Sequence, residues 1–134
     1  DPPECGVPFS TGCYQYPRTG QVYCGTMESY ISIRTNEREY IQSPLSRKLT
    51  SGKTYCVSFY VNLSNRCKYA CDGMGAYFDD GSVNSPYQGI ANVYPQIENP
   101  LGNVITDTLG WVAVSGTFVA NGTENYISKH YCPR

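Results

Sequence analysis

Two neighbouring acidic residues and a nearby amide could bind a metal ion. Asp79 and Asp80 precede Gly81, and Asn84 follows shortly after. Carboxylate and amide oxygens are the ligands that Ca²⁺ prefers, so these side chains form a candidate calcium site. Two carboxylates can also flank a glycosidic bond, but adjacent strand residues point to opposite faces and would not do so. The sequence Asp-Asp-Gly-Ser is also typical of a polar turn, which is the interpretation we favour.

No other set of catalytic residues stands out in the sequence. The single histidine, His130, is near the last residue, where fraying of the chain would spoil a catalytic geometry. The chain contains no G-x-S-x-G elbow, glycine-rich phosphate loop or HExxH helix. We therefore expect a protein that is not an enzyme and has no cofactor apart from the candidate calcium ion.

Seven cysteines in 134 residues are many for a chain of this length and indicate an oxidising, extracellular compartment. Cys56 is interpreted as a small buried hydrophobic residue within a strand, which leaves six cysteines to pair. The predicted disulfides are Cys5 with Cys13, Cys24 with Cys132, and Cys67 with Cys71. The spacing of the last pair also suits zinc ligands, but a structural zinc site usually needs two close pairs, so we favour disulfides.

Charge and hydropathy exclude two classes of partner. Ten basic and eleven acidic residues are scattered without runs and give a net charge of -1, which is unlike a nucleic-acid binder or a protein that binds anionic membranes. No stretch reaches the roughly 18 apolar residues of a membrane span. The first residue is aspartate and not methionine. We interpret the chain as a processed product that is secreted or displayed on the cell surface.

The elements that must position these residues are predicted to be strands. Residues 40–63 and 111–127 are expected to be paired strands of a β-sandwich, because apolar and polar residues alternate in the first of them. The residues predicted to share its apolar face are Tyr55, Val57, Phe59 and Val61. Strands are predicted at 21–25, 28–34, 38–43, 45–50, 54–63, 73–79, 103–108, 111–120 and 124–131. Short strands between Gly, Pro, Asn and Ser turns predict an all-β, antiparallel jelly-roll β-sandwich.

The N-terminal residues have a different composition. Residues 1–20 contain four prolines, three glycines and two cysteines. Proline fixes the backbone and removes a hydrogen-bond donor, so this segment is predicted to be an extended arm and not a helix. The predicted organisation is therefore an arm at 1–20 and a sandwich domain at 21–134.

Part of the sequence resembles a known bacterial family. Residues 16–78, with YPRTGQVYCG, REYIQSPLSRKLTSGKTYCVSFYVNL and CDGMGAYF, resemble a jelly-roll domain of secreted and surface proteins of gliding Gram-negative bacteria. WVAVSGTFVANGTENYI at 111–127 continues the resemblance. The order YIQSPL, L-x-x-GKTY-x-VSFYV, W-x-x-VSGTF is more distantly similar to carbohydrate-binding modules with a galactose-binding-like sandwich. The resemblance implies a jelly roll exposed at the cell surface.

The chain departs from that family at both ends. The family's opening strand is missing before the PRTG segment, and SKHYCPR replaces its usual last strand. A sandwich without its opening strand exposes strand edges that something must cover. An extended segment of a neighbouring copy could add as a strand, and Val7, Pro8, Phe9 and Ser10 are the candidate segment. The alternatives are that residues 1–10 complete their own sheet, or that the chain is part of a longer product.

Two functions follow from this interpretation. Donation of a strand from copy to copy does not close on itself, so it predicts a structural protomer of an extracellular surface fibre. The alternative is a carbohydrate-binding module, in which the rings of Tyr87 and Tyr94 stack on sugars. A weaker third class is an adhesin or enzyme accessory domain. Trp111 is expected to pack on the core in either case.

Three residues are candidates for glycosylation. The tripeptides that begin at Asn62 and Asn121 match the N-glycosylation pattern. Asp107-Thr108-Leu109 resembles the O-glycosylation signal of the same bacteria, which makes Thr108 a candidate. The alternative for Thr108 is an ordinary threonine of an edge strand.

Overall fold

The computed structural model describes residues 7–10, 13–26, 39–83 and 93–131, with only the backbone described at 130–131. These residues contain no α-helix, and therefore no helix long and apolar enough to cross a membrane. They form six strands, β1 (Ile41–Pro44), β2 (Thr54–Val61), β3 (Met74–Asp79), β4 (Ile97–Glu98), β5 (Val112–Val119) and β6 (Tyr126–Tyr131).

The strands form two antiparallel sheets. One sheet has four strands in the order β1-β6-β3-β4, and the other consists of β2 and β5. β2 and β5 are in register from Thr54 opposite Val119 to Val61 opposite Val112. The predicted all-β antiparallel class is confirmed, as is the pairing of the two stretches that carry β2 and β5. The jelly-roll topology and the boundary between residues 20 and 21 stay predictions.

Three predicted strands are wrong. Residues 21–25, 45–50 and 103–108 do not belong to any strand. In the second of these, the Leu45 and Leu49 amides each donate to a single loop carbonyl, of Asn125 and Glu124 respectively. In the third, the Ile105 amide donates to the carbonyl of Cys71. Isolated hydrogen bonds to loops take the place of a ladder there. The strand predicted at 28–34 lies outside the described residues.

The core lies between the two sheets. Its buried members are Phe59, Ala76, Phe78, Ile97, Ile105 and Val114. The Phe78 ring stacks on the Phe118 ring across the interface, with centroids 4.8 Å apart. β5 lies close to β4 because Gly116 has no side chain, since a Cβ there would stand 3.1 Å from Ile97 Cδ1. This glycine therefore sets the distance between the sheets at that edge.

The alternation predicted for β2 is confirmed, and it overturns one expectation about cysteine. Tyr55, Val57 and Val61 are half-buried and Phe59 is buried, whereas the residues between them are exposed. Cys56 is one of these exposed residues and not a buried hydrophobic residue. The reason is the two-residue period of a strand, which turns Cys56 away from the core face.

A buried carboxylate holds the turn between β5 and β6. Glu124 is 2 % exposed, and its two oxygens accept hydrogen bonds from the amides of Asn121 and Gly122, both at 2.9 Å. Burial acts to raise the pKa of Glu124, but hydrogen bonds from backbone amides outweigh it, and the pKa is lowered from its ordinary value. The charged form of Glu124 is therefore the one that stabilises the turn.

We expect the Glu124→Gln variant to lose about 2 kcal/mol of unfolding free energy at neutral pH, because both amides lose a charged acceptor. A lowered pKa in the folded state means that this contribution is present above the ordinary pKa of 4.5 and is lost as the pH falls through the folded value. Urea unfolding of both proteins between neutral pH and about pH 3 measures the effect. A difference between the two proteins that does not shrink in acid would contradict this explanation.

Candidate assembly surface

Within the described ranges, the inner face of the four-stranded sheet is covered on one side only. Ala76 of β3 and Ile97 of β4 are 0 % and 2 % exposed, beneath the two-stranded sheet. Ser43 of β1 is exposed, although it pairs with Ile127 and so shares the core-facing side. Ile41, on the same side of β1, is only half-buried and is not part of the core cluster. The second sheet therefore leaves the β1 side of this face uncovered.

Each sheet also has a strand edge on this side that pairs with no other described strand. β2 forms hydrogen bonds with β5 alone, so no strand in the described part of the chain pairs with its outer edge. Among the described strands, β1 is the edge of the larger sheet, on the same side as the uncovered part of its inner face. Unpaired edges of this kind are sites where another extended segment can add.

A half-buried lysine lies at the border of the uncovered part of this face. Lys129 is two residues from Ile127 in β6, so both side chains point to the same side of the sheet. Its Nζ atom is 5.0 Å from the centroid of the Phe59 ring, and desolvation lowers its pKa. We call the surface formed by Ile41, Ser43, Ile127, Lys129 and the outer edge of β2 the open groove. Its floor is mixed, with one aliphatic side chain from each of β1 and β6 and a single cation.

The candidate donor segment is folded back on the arm. Phe9 forms an isolated antiparallel bridge with Tyr14. The Ser10 amide donates to the Cys13 carbonyl and the Gln15 amide to the Pro8 carbonyl, both at 2.9 Å. The described part of the segment therefore pairs with its own chain in a small hairpin and joins neither sheet. Residues 1–6 lie outside the described residues, so the alternative that residues 1–10 complete their own sheet stays a prediction.

Beyond the hairpin, the arm is fixed to the sandwich. Gln15 is 8 % exposed. Trp111 Nε1 donates to the Tyr16 carbonyl at 3.1 Å, and the Arg18 guanidinium lies 3.4 Å from the centroid of the Tyr60 ring. Trp111 thus packs on the arm and is not part of the core cluster, which corrects the expectation from sequence. The Tyr14 amide also donates to Asn65 Oδ1 at 3.1 Å, so the anchors start in the second half of the hairpin, after residues 7–10.

A thiol and a phenol join the hairpin to the next part of the arm. The Cys13 sulfur is 3.0 Å from the Tyr23 hydroxyl, and the Tyr23 ring packs edge to face on Trp111, with centroids 5.6 Å apart. Burial, followed by the contact with Cys13, raises the pKa of Tyr23 to about 12. The phenol therefore keeps its proton, and its ability to donate, well above neutral pH.

Three aromatic rings of the arm face solvent. Phe9, Tyr14 and Tyr16 are 60 %, 40 % and 61 % exposed. Neighbouring rings pack edge to face, with centroids 4.6 Å and 5.9 Å apart. Exposed aromatic residues in contact with one another are a common feature of surfaces that bind other molecules.

The residues of the candidate calcium site are engaged in a turn. Asp79 Oδ1 and Oδ2 accept hydrogen bonds from the amides of Gly81 and Val83 at 2.9 Å and 3.2 Å. Asp80 Oδ1 accepts one from the Ser82 amide at 3.0 Å. Asn84 lies outside the described residues. Within the described ranges, no three His, Cys, Asp or Glu side chains come together as a metal site. These contacts favour the polar turn over a calcium site.

The predicted disulfides are not formed. Cys67 and Cys71 are not bonded to each other, and Cys13 and Cys24 are not part of any disulfide. The partners predicted for Cys13 and Cys24, which are Cys5 and Cys132, lie outside the described residues. The three predicted pairings are therefore wrong for this structure.

The glycosylation candidates occupy different environments. Asn62 Nδ2 donates to the carbonyls of Asp107 and Gly110, so a sugar on that nitrogen would displace both contacts. Thr108 is half-buried in a tight loop and not in an edge strand. Asn121 is exposed, at the turn between β5 and β6. Of the two candidate sugar-stacking residues, Tyr94 is 88 % exposed, and Tyr87 lies outside the described residues.

Sequence reasoning does not identify Lys129 of the open groove or Gln15 of the arm. The signal for Lys129 was present, because Ile127 and Lys129 share one face of a predicted strand whose apolar side faces the core. Gln15 had no such signal, because its burial depends on the distant Leu109, whose carbonyl accepts a hydrogen bond from its side chain at 3.4 Å.

Comparisons with known proteins give no guide to this surface. No protein-family model, curated protein sequence or solved structure matches the chain. The resemblance to bacterial surface domains therefore stays a prediction. Function has to be inferred from the residues and their contacts.

Proposed function

We propose that this chain is a structural protomer of an extracellular fibre, in which each copy donates its N-terminal segment to the open groove of the next. The observation that carries the proposal is the uneven sandwich, whose larger sheet is covered over β3 and β4 and, as far as the described residues go, open over β1. An uncovered edge and face favour the addition of an extended segment, which gains main-chain hydrogen bonds along the edge.

The dimensions of the arm suit this role. At about 3.3 Å per residue, ten extended residues span about 33 Å, whereas the eight residues of β2 span about 26 Å. The anchors at Gln15 and Tyr16 would hold the base of the arm on its own sandwich while residues before them reach out. Donation requires the small hairpin to open, and the new strand contacts would replace its hydrogen bonds.

Side-chain chemistry also supports the proposal. Val7 and Phe9 are 38 % and 60 % exposed, so each has apolar surface to bury in the open groove. The first ten residues include Asp1 and Glu4 but no Lys or Arg. A negatively charged segment complements the cation of Lys129 on the floor of the groove, and such complementarity orients and selects partners.

We expect the Phe9→Asp variant to remain a folded monomer, because a charge at this position cannot be buried in the groove of the next copy. Tyr16→Asp is the matched control, since the Tyr16 side chain is equally exposed, at 61 %, but lies C-terminal to the donated segment. Size-exclusion chromatography with light scattering separates the outcomes. Assembly lost in Phe9→Asp and kept in Tyr16→Asp supports donation, and equal behaviour of the two variants contradicts it.

A carbohydrate-binding module is the second candidate function. It is supported by Tyr94, which presents 88 % of its surface to solvent. Exposed tyrosine rings can stack on the apolar faces of sugars. A protein that stays monomeric, binds a glycan and loses that binding in the Tyr94→Ala variant would favour this function over the fibre.

A further inference from the structure

The turn between β5 and β6 brings reactive groups together. Asn121-Gly122 is the single Asn-Gly pair of the chain. In such a pair the backbone nitrogen of glycine can attack the side-chain carbonyl carbon of asparagine and close a five-membered ring, because no side chain on the glycine blocks the approach. The Gly122 N–H points at Glu124 Oε2, at 2.9 Å. A carboxylate in this position can accept the proton of the attacking nitrogen.

The oxygen that would gain charge also has its partners in place. Asn121 Oδ1 accepts hydrogen bonds from the Thr123 amide at 2.8 Å and from the Thr123 hydroxyl at 2.7 Å. Attack on the carbonyl carbon moves negative charge onto this oxygen. Two donors already directed at it would stabilise that charge, as in an oxyanion hole. Asn121 and Thr123 are exposed, so water can reach the product.

We propose that Asn121 converts itself to aspartate and isoaspartate in the folded protein, with Glu124 as the base and Thr123 as the oxyanion donor. The Gly122 nitrogen gives its proton to the Glu124 carboxylate and forms a bond to Asn121 Cγ. The resulting oxyanion collapses and expels the side-chain nitrogen as ammonia, which takes up the proton. Water then opens the succinimide at either of its carbonyls. The sum of the reaction is one water consumed and one ammonia released, with no oxidant, enzyme or cofactor.

Gly122 has a structural reason to be at this position. Its φ is +91°, which disfavours residues with a side chain, and a Cβ there would lie 2.9 Å from Ser51 Cβ. The glycine that the turn requires is therefore also the residue that leaves Asn121 open to attack. The product places a new carboxylate beside that of Glu124, and like charges this close repel each other. Conversion would therefore weaken the turn, and the converted fraction would increase with the time since synthesis.

The test follows conversion in the purified folded chain, produced in a host without N-glycosylation and kept in mildly alkaline buffer. Peptide mapping and isoaspartate detection report the product at position 121. The reference is a synthetic peptide of residues 117–127, which contains the same Asn-Gly pair. We expect faster conversion in the folded chain than in the peptide, because only the fold directs Glu124 and Thr123 at the reacting atoms.

Two variants of an exposed residue keep the test independent of folding. Thr123→Val removes the hydroxyl and keeps the amide, and should slow conversion about threefold to tenfold, the loss expected for one hydrogen bond. Thr123→Ser keeps the hydroxyl and should convert at the rate of the natural chain. The proposal is overturned if the folded chain converts no faster than the peptide, or if the valine and serine variants convert at the same rate.

Discussion

Replacing Phe78 by alanine is expected to lower the free energy of unfolding by about 3–5 kcal/mol, the range found for removing a buried aromatic side chain. Phe78 is 6 % exposed, and its ring stacks on Phe118 of the opposite sheet at 4.8 Å. Its loss would leave a cavity between the sheets at a point where both contribute. Because small proteins have only about 5–15 kcal/mol of stability, this variant should be close to unfolding at room temperature.

The matched control is Phe9→Ala, which removes the same ring from a position that is 60 % exposed. Substitutions at exposed sites usually change stability by about 0.5 kcal/mol or less. Thermal and urea unfolding of the two variants measure the contrast. Equal losses in both would mean that the core does not lie between β3 and β5 as described.

The second large effect that we expect is the loss of assembly when the N-terminal segment is deleted. A chain that begins at Gly12 lacks the whole donor segment but keeps Gln15 and Tyr16, which fix the arm to the sandwich. None of the six strands is touched, since the first starts at Ile41. We therefore expect this shortened chain to fold with a stability near that of the intact chain and to lose assembly completely. The deleted residues contain the candidate donor segment, so no strand remains to fill the open groove of the next copy.

The parts of the fold that could be predicted from the sequence are those with a local signal. In β2, alternation runs through eight residues and follows a turn at Gly52, whose φ of +76° needs glycine. Residues 45–50 and 103–108 also contain apolar side chains between turn residues, yet neither is a strand. A strand requires a partner with a continuous ladder, and which segments become partners is decided by packing over the whole domain.

The candidate assembly surface also has some features with a local sequence signal and others without one. The apolar donor segment and the open edge were predicted from composition and from the missing first strand. The hairpin that holds Phe9 against Tyr14 was not predicted, because it depends on hydrogen bonds of Ser10 and Gln15 with carbonyls a few residues away. The anchoring of the arm by Trp111 was also missed, since a tryptophan within an apolar strand sequence gives no sign of which surface it will contact.

The most direct test of strand donation is negative-stain electron microscopy of the intact chain beside the chain that begins at Gly12, at the same micromolar concentration. Thermal unfolding of both samples first establishes that each is folded. Filaments from the intact chain and none from the shortened chain are the result that donation predicts. Uniform monomers from both chains, or filaments from both, would contradict it.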